Sequence, residues 1–185
     1  MNQKTSRLTI SGLCIALGLV LPFLTGQIPQ IGSMLLPMHI PVFLCGLICG
    51  WQYGLAVGFI VPLLRSVLFT MPPFFPTAIS MAFELATYGL VTGLLFGSRE
   101  DRSPASLYKA IVAAMLAGRV VWGAVQTLLL TMNGGAMTFE IFLTSGFLNA
   151  IPGIIVQLTL IPALIVALDR SGLLLPAPAS RSAAR

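Results

Sequence analysis

Four side chains in this sequence carry chemistry in places where hydrocarbon is expected. Arg65, Glu84 and Arg119 are the ionisable residues set inside long apolar runs, and His39, the single histidine, stands at the edge of another. Arg65 lies within PLLRSVLFTMPPFFP. A permanent cation at bilayer depth costs about 2.5–3.5 kcal/mol even on insertion scales. It must therefore be paired, reach water, or bind something. Glu84 balances one of the two arginines. The other then holds an uncompensated positive charge, which favours an anion. A guanidinium fits a carboxylate bidentately, so the ligand chemistry implied is that of a small organic anion, most simply a carboxylate.

Further polar and aromatic residues fall near these charges. Tyr88 is one turn from Glu84, and Trp122 and Gln126 follow Arg119 at i+3 and i+7, on one helical face. Asn149 is an amide in the last apolar run. Trp122 offers a ring for stacking against a flat or apolar body. Each residue also has a plainer role open to it. Arg65 can snorkel to headgroups, Glu84 and Arg119 can form a structural pair, and His39 can simply start a helix. Gln126 and Asn149 can bridge helices, and Trp122 can be packing.

The elements that must position these groups are transmembrane helices. Hydrophobic residues make up 57% of the 185 and charged ones 8%, against about 25% charged in soluble domains. A helix needs roughly 20 residues to cross a bilayer. The apolar runs predict six spans, near 8–25, 37–50, 54–70, 76–97, 106–131 and 140–168. The expected fold is an all-α integral membrane protein, one six-helix domain over 1–170 with a flexible cytoplasmic tail over 171–185. The apolar stretch after Lys4 and Arg7 resembles a signal peptide but lacks a small-x-small cleavage site, and reads as a retained first helix. With the N-terminus inside, every Lys and Arg outside the spans falls on the cytoplasmic side, and the loops near 26–36, 71–75 and 132–139 contain none. That asymmetry predicts both ends in the cytoplasm. Helix rise then puts Arg65 roughly 7–8 Å deep, Glu84 roughly 12 Å, Asn149 roughly 13–14 Å and Arg119 roughly 18 Å from the outer end. Polar groups from four helices thus gather in the outer half, as a cavity opening outward requires.

Other function classes lack their residues. The lysines are Lys4 and Lys109, and neither follows a phosphate-binding GxxxxGK[ST] loop. HExxH and GxSxG are absent, which argues against an enzyme. The basic surplus is not clustered with aromatics as nucleic-acid binding would need. Cys14, Cys45 and Cys49 lie in apolar runs and read as small packing residues, with no metal set or disulfide framework. Gly46, Gly50, Gly54 and Gly58, then Gly89, Gly93 and Gly97, recur every fourth residue. Such faces let helix backbones approach closely, and GWQYG reads as a tight turn between the second and third spans. No cofactor is expected.

Three stretches carry a family resemblance: LTISGLCIALGLVLP, LPMHIPVFLCGLICGWQYGLAVGFIVPLLRS and PTAISMAFELATYGLVTGLLFG. In this order, over about residues 8–168, the chain resembles the substrate-binding S components of energy-coupling factor (ECF) transporters, vitamin uptake proteins of bacterial cell membranes. The resemblance implies an externally bound substrate covered by the loop after the first helix. It also implies docking on a membrane coupling subunit driven by two cytosolic ATPases, through a small-residue face of the first helix. Here that face is Gly12 and Ala16. PMHIPV and MAFELATYG look nearest to members for small acidic vitamins such as niacin or pantothenate. Two other classes stay open: a stand-alone carrier coupled to protons or sodium, with Glu84 as coupling residue, and a structural membrane protein.

Overall fold

The structure, a computed structural model, describes residues 2–25, 28–96 and 103–171. The expected tail over 171–185, apart from its first residue, and the loop arginines Arg99 and Arg102 lie outside them. The described residues form a helical bundle. Helix α1 (Gln3–Val20) runs into a 3₁₀ turn (Leu21–Thr25). A short α2 (Pro29–Leu35) and α3 (His39–Cys49) follow. Then come α4 (Trp51–Phe69), a wide turn over Phe74–Ala78 continuing as α5 (Ile79–Leu95), and α6 (Pro104–Met132). The last stretch is broken: α7 (Phe139–Leu143) with a wide turn over Thr144–Leu148, then α8 (Ile151–Arg170).

Five of these stretches are long and apolar enough to cross a membrane, Phe139–Arg170 counted as one. The expected second span is the exception. Helix α3 has 11 residues, roughly 16 Å at helical rise, about half of a hydrocarbon core. The last expected span also differs, because it is interrupted at Asn149–Ala150. Pro152 explains the break, since it brings no N–H to the ladder and disfavours helical backbone just before it. It stands instead in the first turn of α8, where neither matters.

GWQYG is not a turn as a whole. Trp51 already begins α4, and the corner is Gly50 alone, at φ 94°, a backbone region that glycine enters without penalty. The single-residue corner folds α3 directly back beside α4. The glycine spacing then sets the packing of α3 and α4 against α5. A methyl group at Gly54 would meet the Gly89 carbonyl, one at Gly58 the Leu85 carbonyl, and one at Gly93 the backbone of Trp51. Side chains are thus absent along the crossing and the backbones touch. Lipid offers no hydrophobic drive between helices, so association rests on close contact of this kind. Val42, Phe43, Leu47, Val57, Leu85 and Ile111 fill the buried centre around it.

Helix α1 is joined to α3 at the end of the bundle that carries its N-terminus. Arg7 donates from Nη1 to the Cys49 carbonyl at 3.2 Å, placing a cation on the negative end of α3. Ser11 donates to the Arg7 carbonyl at 2.8 Å and lies 3.5 Å from Cys45 Sγ. Cys14, Cys45 and Cys49 are free thiols buried in this packing. Among the described residues no group of three His, Cys, Asp or Glu is arranged to hold a metal.

The glycine contacts give a direct test. Gly89→Ala forces a Cβ into the backbone of Gly54. It should lower the melting temperature in detergent, by the equivalent of about 1–3 kcal/mol. Gly12→Ala, where a Cβ meets nothing within 4 Å, should leave melting unchanged. Equal melting of the two variants would show that the crossing has room to spare.

Candidate functional site

The ends of several elements converge opposite the Arg7 end of α1. They are the 3₁₀ turn after α1, the start of α3, the last turns of α4, the start of α5 and the C-terminal half of α6. They surround a cavity of about 440 Å³, within the usual range for small-molecule sites. Its wall is largely apolar, with Pro22, Leu36, Met38, Met71 and Met81 among the lining residues. Into it come His39, Arg65, Glu84, Arg119 and Trp122. Five candidates from four different helices therefore share one cavity.

Glu84 and Arg119 are paired across α5 and α6, with Oε1 and Nη1 2.9 Å apart. Tyr88, one turn along α5, donates its hydroxyl to the same Glu84 oxygen at 2.6 Å. Glu84 is 1% exposed, so the carboxylate's compensation comes from these protein donors. His39 stands at the start of α3 with Nε2 3.9 Å from Glu84 Oε1. Neither ring nitrogen has a hydrogen-bond partner among the described residues, although the side chain is fully buried. Its ring lies 5.4 Å from that of Tyr88, and Phe43, one turn along α3, stacks on Tyr88 at 4.9 Å.

Arg65, near the C-terminal end of α4, is held differently. It is 3% exposed, too enclosed for a side chain that merely floats among headgroups. Nη1 donates to the Leu19 carbonyl of α1. The guanidinium lies over Phe23 and Phe69, at 5.0 and 5.4 Å from the ring centroids. The two rings meet edge to face. Cation–π contacts of this kind stabilise a desolvated guanidinium by about 2 kcal/mol, and they fix its plane. Among the described residues no carboxylate lies within ion-pair distance of it. Two guanidiniums against one carboxylate leave the cavity with one positive charge in excess, before His39 is considered.

The remaining candidates separate. Trp122 lines the cavity and stacks on Phe142 at 6.1 Å. Tyr88 faces a second, smaller cavity beneath the Glu84–Arg119 pair. Gln126 lines neither cavity; it is half-buried, and its carbonyl oxygen has no partner among the described residues. Asn149 is exposed in the break before α8 and lines neither cavity. The expectation that it sits inside a continuous last helix, facing the pocket, is therefore corrected; Pro152 moves the helix start past it. One residue was missed. Gln157 of α8 is 1% exposed, and its amide nitrogen has no hydrogen-bond partner among the described residues. An amide inside the apolar run IIVQLTLIP is the same kind of signal that singled out Gln126. Gly12 and Ala16 lie on the outer, exposed face of α1 beside Leu13, Leu17 and Val20.

A family model described as the substrate-specific component of ECF transporters matches residues 6–165. No curated protein and no solved structure matches the chain.

The ion pair should behave as a unit. Glu84→Gln leaves Arg119 buried without its carboxylate and is expected to destabilise the protein by about 3–5 kcal/mol. Adding Arg119→Gln should recover part of that loss, because the orphaned charge is gone. Thermal unfolding of the two single variants and the double variant in detergent gives the coupling. Additive losses would mean that the pair does not stabilise the bundle.

Proposed function

Since the chain belongs to the substrate-specific components of ECF transporters, we propose that its cavity captures a small organic anion for uptake, with Arg65 as the anion contact. Members of this family are membrane-embedded binding subunits rather than enzymes. The observation that carries the reading is Arg65 itself. It is a buried guanidinium, fixed in orientation by Leu19, Phe23 and Phe69, beside a cavity and without a carboxylate partner among the described residues. An uncompensated buried cation is costly alone, and an incoming carboxylate removes that cost. His39 adds two unpartnered ring nitrogens at the same cavity, and Trp122 an aromatic wall. Glu84 balances Arg119 and so leaves the charge excess on Arg65. Nicotinate and pantothenate, acidic vitamins, are the candidate substrates.

Energy would come from elsewhere. The outer face of α1 at Gly12 and Ala16 is open, and a small-residue face of this kind admits a partner helix at close range. We assign it to docking on a membrane coupling subunit driven by two cytosolic ATPases. The orientation proposed is both termini in the cytoplasm of a bacterial cell, with the cavity outside.

Two measurements test this. Titration calorimetry of nicotinate and pantothenate should show Arg65→Ala weakened by about 1.5–3 kcal/mol, roughly tenfold to a hundredfold. Arg65→Lys should recover only part, because the bidentate fork is lost. Unchanged affinity in Arg65→Ala would remove Arg65 from the site. In proteoliposomes the chain alone should bind without ATP-driven uptake. Uptake should appear with the coupling module and vanish in Gly12→Leu or Ala16→Leu, with binding retained. Uphill uptake by the chain alone under a proton or sodium gradient would instead identify a secondary carrier.

A further inference from the structure

Beneath the main cavity lies a second one of about 190 Å³, between α5, α6 and α8. The two share Leu36 and Arg119 as lining residues. Leu36, at the end of α2, and the Arg119 side chain are thus the partition between them. The lower cavity is apolar on most sides, with Met115, Ile154 and Leu158 in its wall. Its polar groups are Arg119, the Tyr88 hydroxyl and Gln157. The Tyr88 proton is engaged by Glu84. The Gln157 amide nitrogen, in a side chain 1% exposed, has no hydrogen-bond partner among the described residues.

A buried donor left unpaired is unfavourable by about 1–3 kcal/mol, and an unpaired buried group of this kind usually marks a missing partner. The amide nitrogen only donates. Whatever fills the space therefore offers an acceptor that is uncharged, since the surroundings are apolar and the nearby guanidinium is already paired with Glu84. We infer that the lower cavity is a second subsite of the same binding site, in which Gln157 donates to a neutral acceptor, a carbonyl or hydroxyl oxygen, on the tail of the substrate. This rests on the anion reading above, in which the acidic end stays at Arg65. It narrows the substrate to an elongated acid with acceptors along its tail, and away from a short flat one. Arg119 and Leu36 then lie along the middle of the molecule, and displacement of Leu36 with its loop joins the two cavities.

The probes are pantothenate, a carboxylate with an amide and hydroxyls along its tail, and nicotinate, a carboxylate on a single ring. Affinity is measured by calorimetry on detergent-purified full-length chain, for wild type, Gln157→Leu and Gln157→Glu. Wild type should bind pantothenate at least tenfold more tightly than nicotinate. Gln157→Leu and Gln157→Glu should each lose at least tenfold for pantothenate, and any nicotinate binding should stay within twofold. Ligand-free Gln157→Leu should melt no lower than wild type, because it removes an unpaired donor; a marked drop would mean that the amide has a structural partner and would overturn the inference. Unchanged pantothenate affinity in Gln157→Leu would show that the cavity holds only water, and tighter binding of nicotinate than of pantothenate by wild type would exclude the subsite. In both cases the anion reading stands. Binding of neither acid would overturn the anion reading and the subsite together.

Discussion

Taking a carboxylate and a guanidinium out of water costs several kcal/mol for each ion, and Glu84 and Arg119 have both been taken out. Their 2.9 Å contact is what makes the rest of the site tolerable. It fixes α5 against α6 at the depth of the cavity. It aligns Tyr88, whose hydroxyl completes the shell of the same oxygen. It also decides which cation is left over, because Glu84 is held to Arg119 and Tyr88 and, among the described residues, no ion pair joins it to Arg65. Arg65 is oriented by the Leu19 carbonyl and the Phe23 ring, neither of which neutralises its charge.

The features legible in the sequence are those encoded locally or by simple energetic necessity. Gly46, Gly54, Gly58 and Gly89 announce a close crossing because a spacing of four puts them on one face, and the backbones meet there. Glu84 and Arg119 stand out in advance because few ionisable groups lie inside the apolar runs, whereas the depths from helix rise set Glu84 no nearer to Arg119 than to Arg65. Hydropathy does not register where a helix starts or stops inside an apolar run. The break at Asn149 was hidden for that reason, although Pro152 carried its signal; the second span over 37–50, by contrast, already reads as short for a straight crossing, with Pro41 suited to its first turn. Leu36, Met38 and Pro22 were illegible as cavity wall, since an apolar residue facing a pocket has the same sequence signature as one facing lipid. Gln157 shows the reverse case: its type was informative, but one amide among several in the spans does not reveal which of them lacks a partner.

Two kinds of contact coexist in the bundle. Along α4 and α5 backbone meets backbone. Backbones also meet where the α2 segment rests on α8 at Gly153, whereas other joints are made by side chains: Arg65 to Leu19 at the far end of α1, and Gly118 of α6 against the Tyr88 ring. Side chains exchange rotamers, whereas touching backbones leave nothing to rearrange.

The cavity is therefore built like a bench vice. Its fixed jaw is the α4–α5 unit, carrying Arg65 and Glu84 on a frame that has no internal play. The other jaw is the turn after α1 with Pro22 and Phe23, which meets α4 through side chains, the Phe23 ring against Phe69 and the Arg65 guanidinium on the Leu19 carbonyl. A molecule between them would meet an unmoving charge on one side and a wall of exchangeable rotamers on the other. Constraint on charge and tolerance of shape would then be properties of different halves of the same wall.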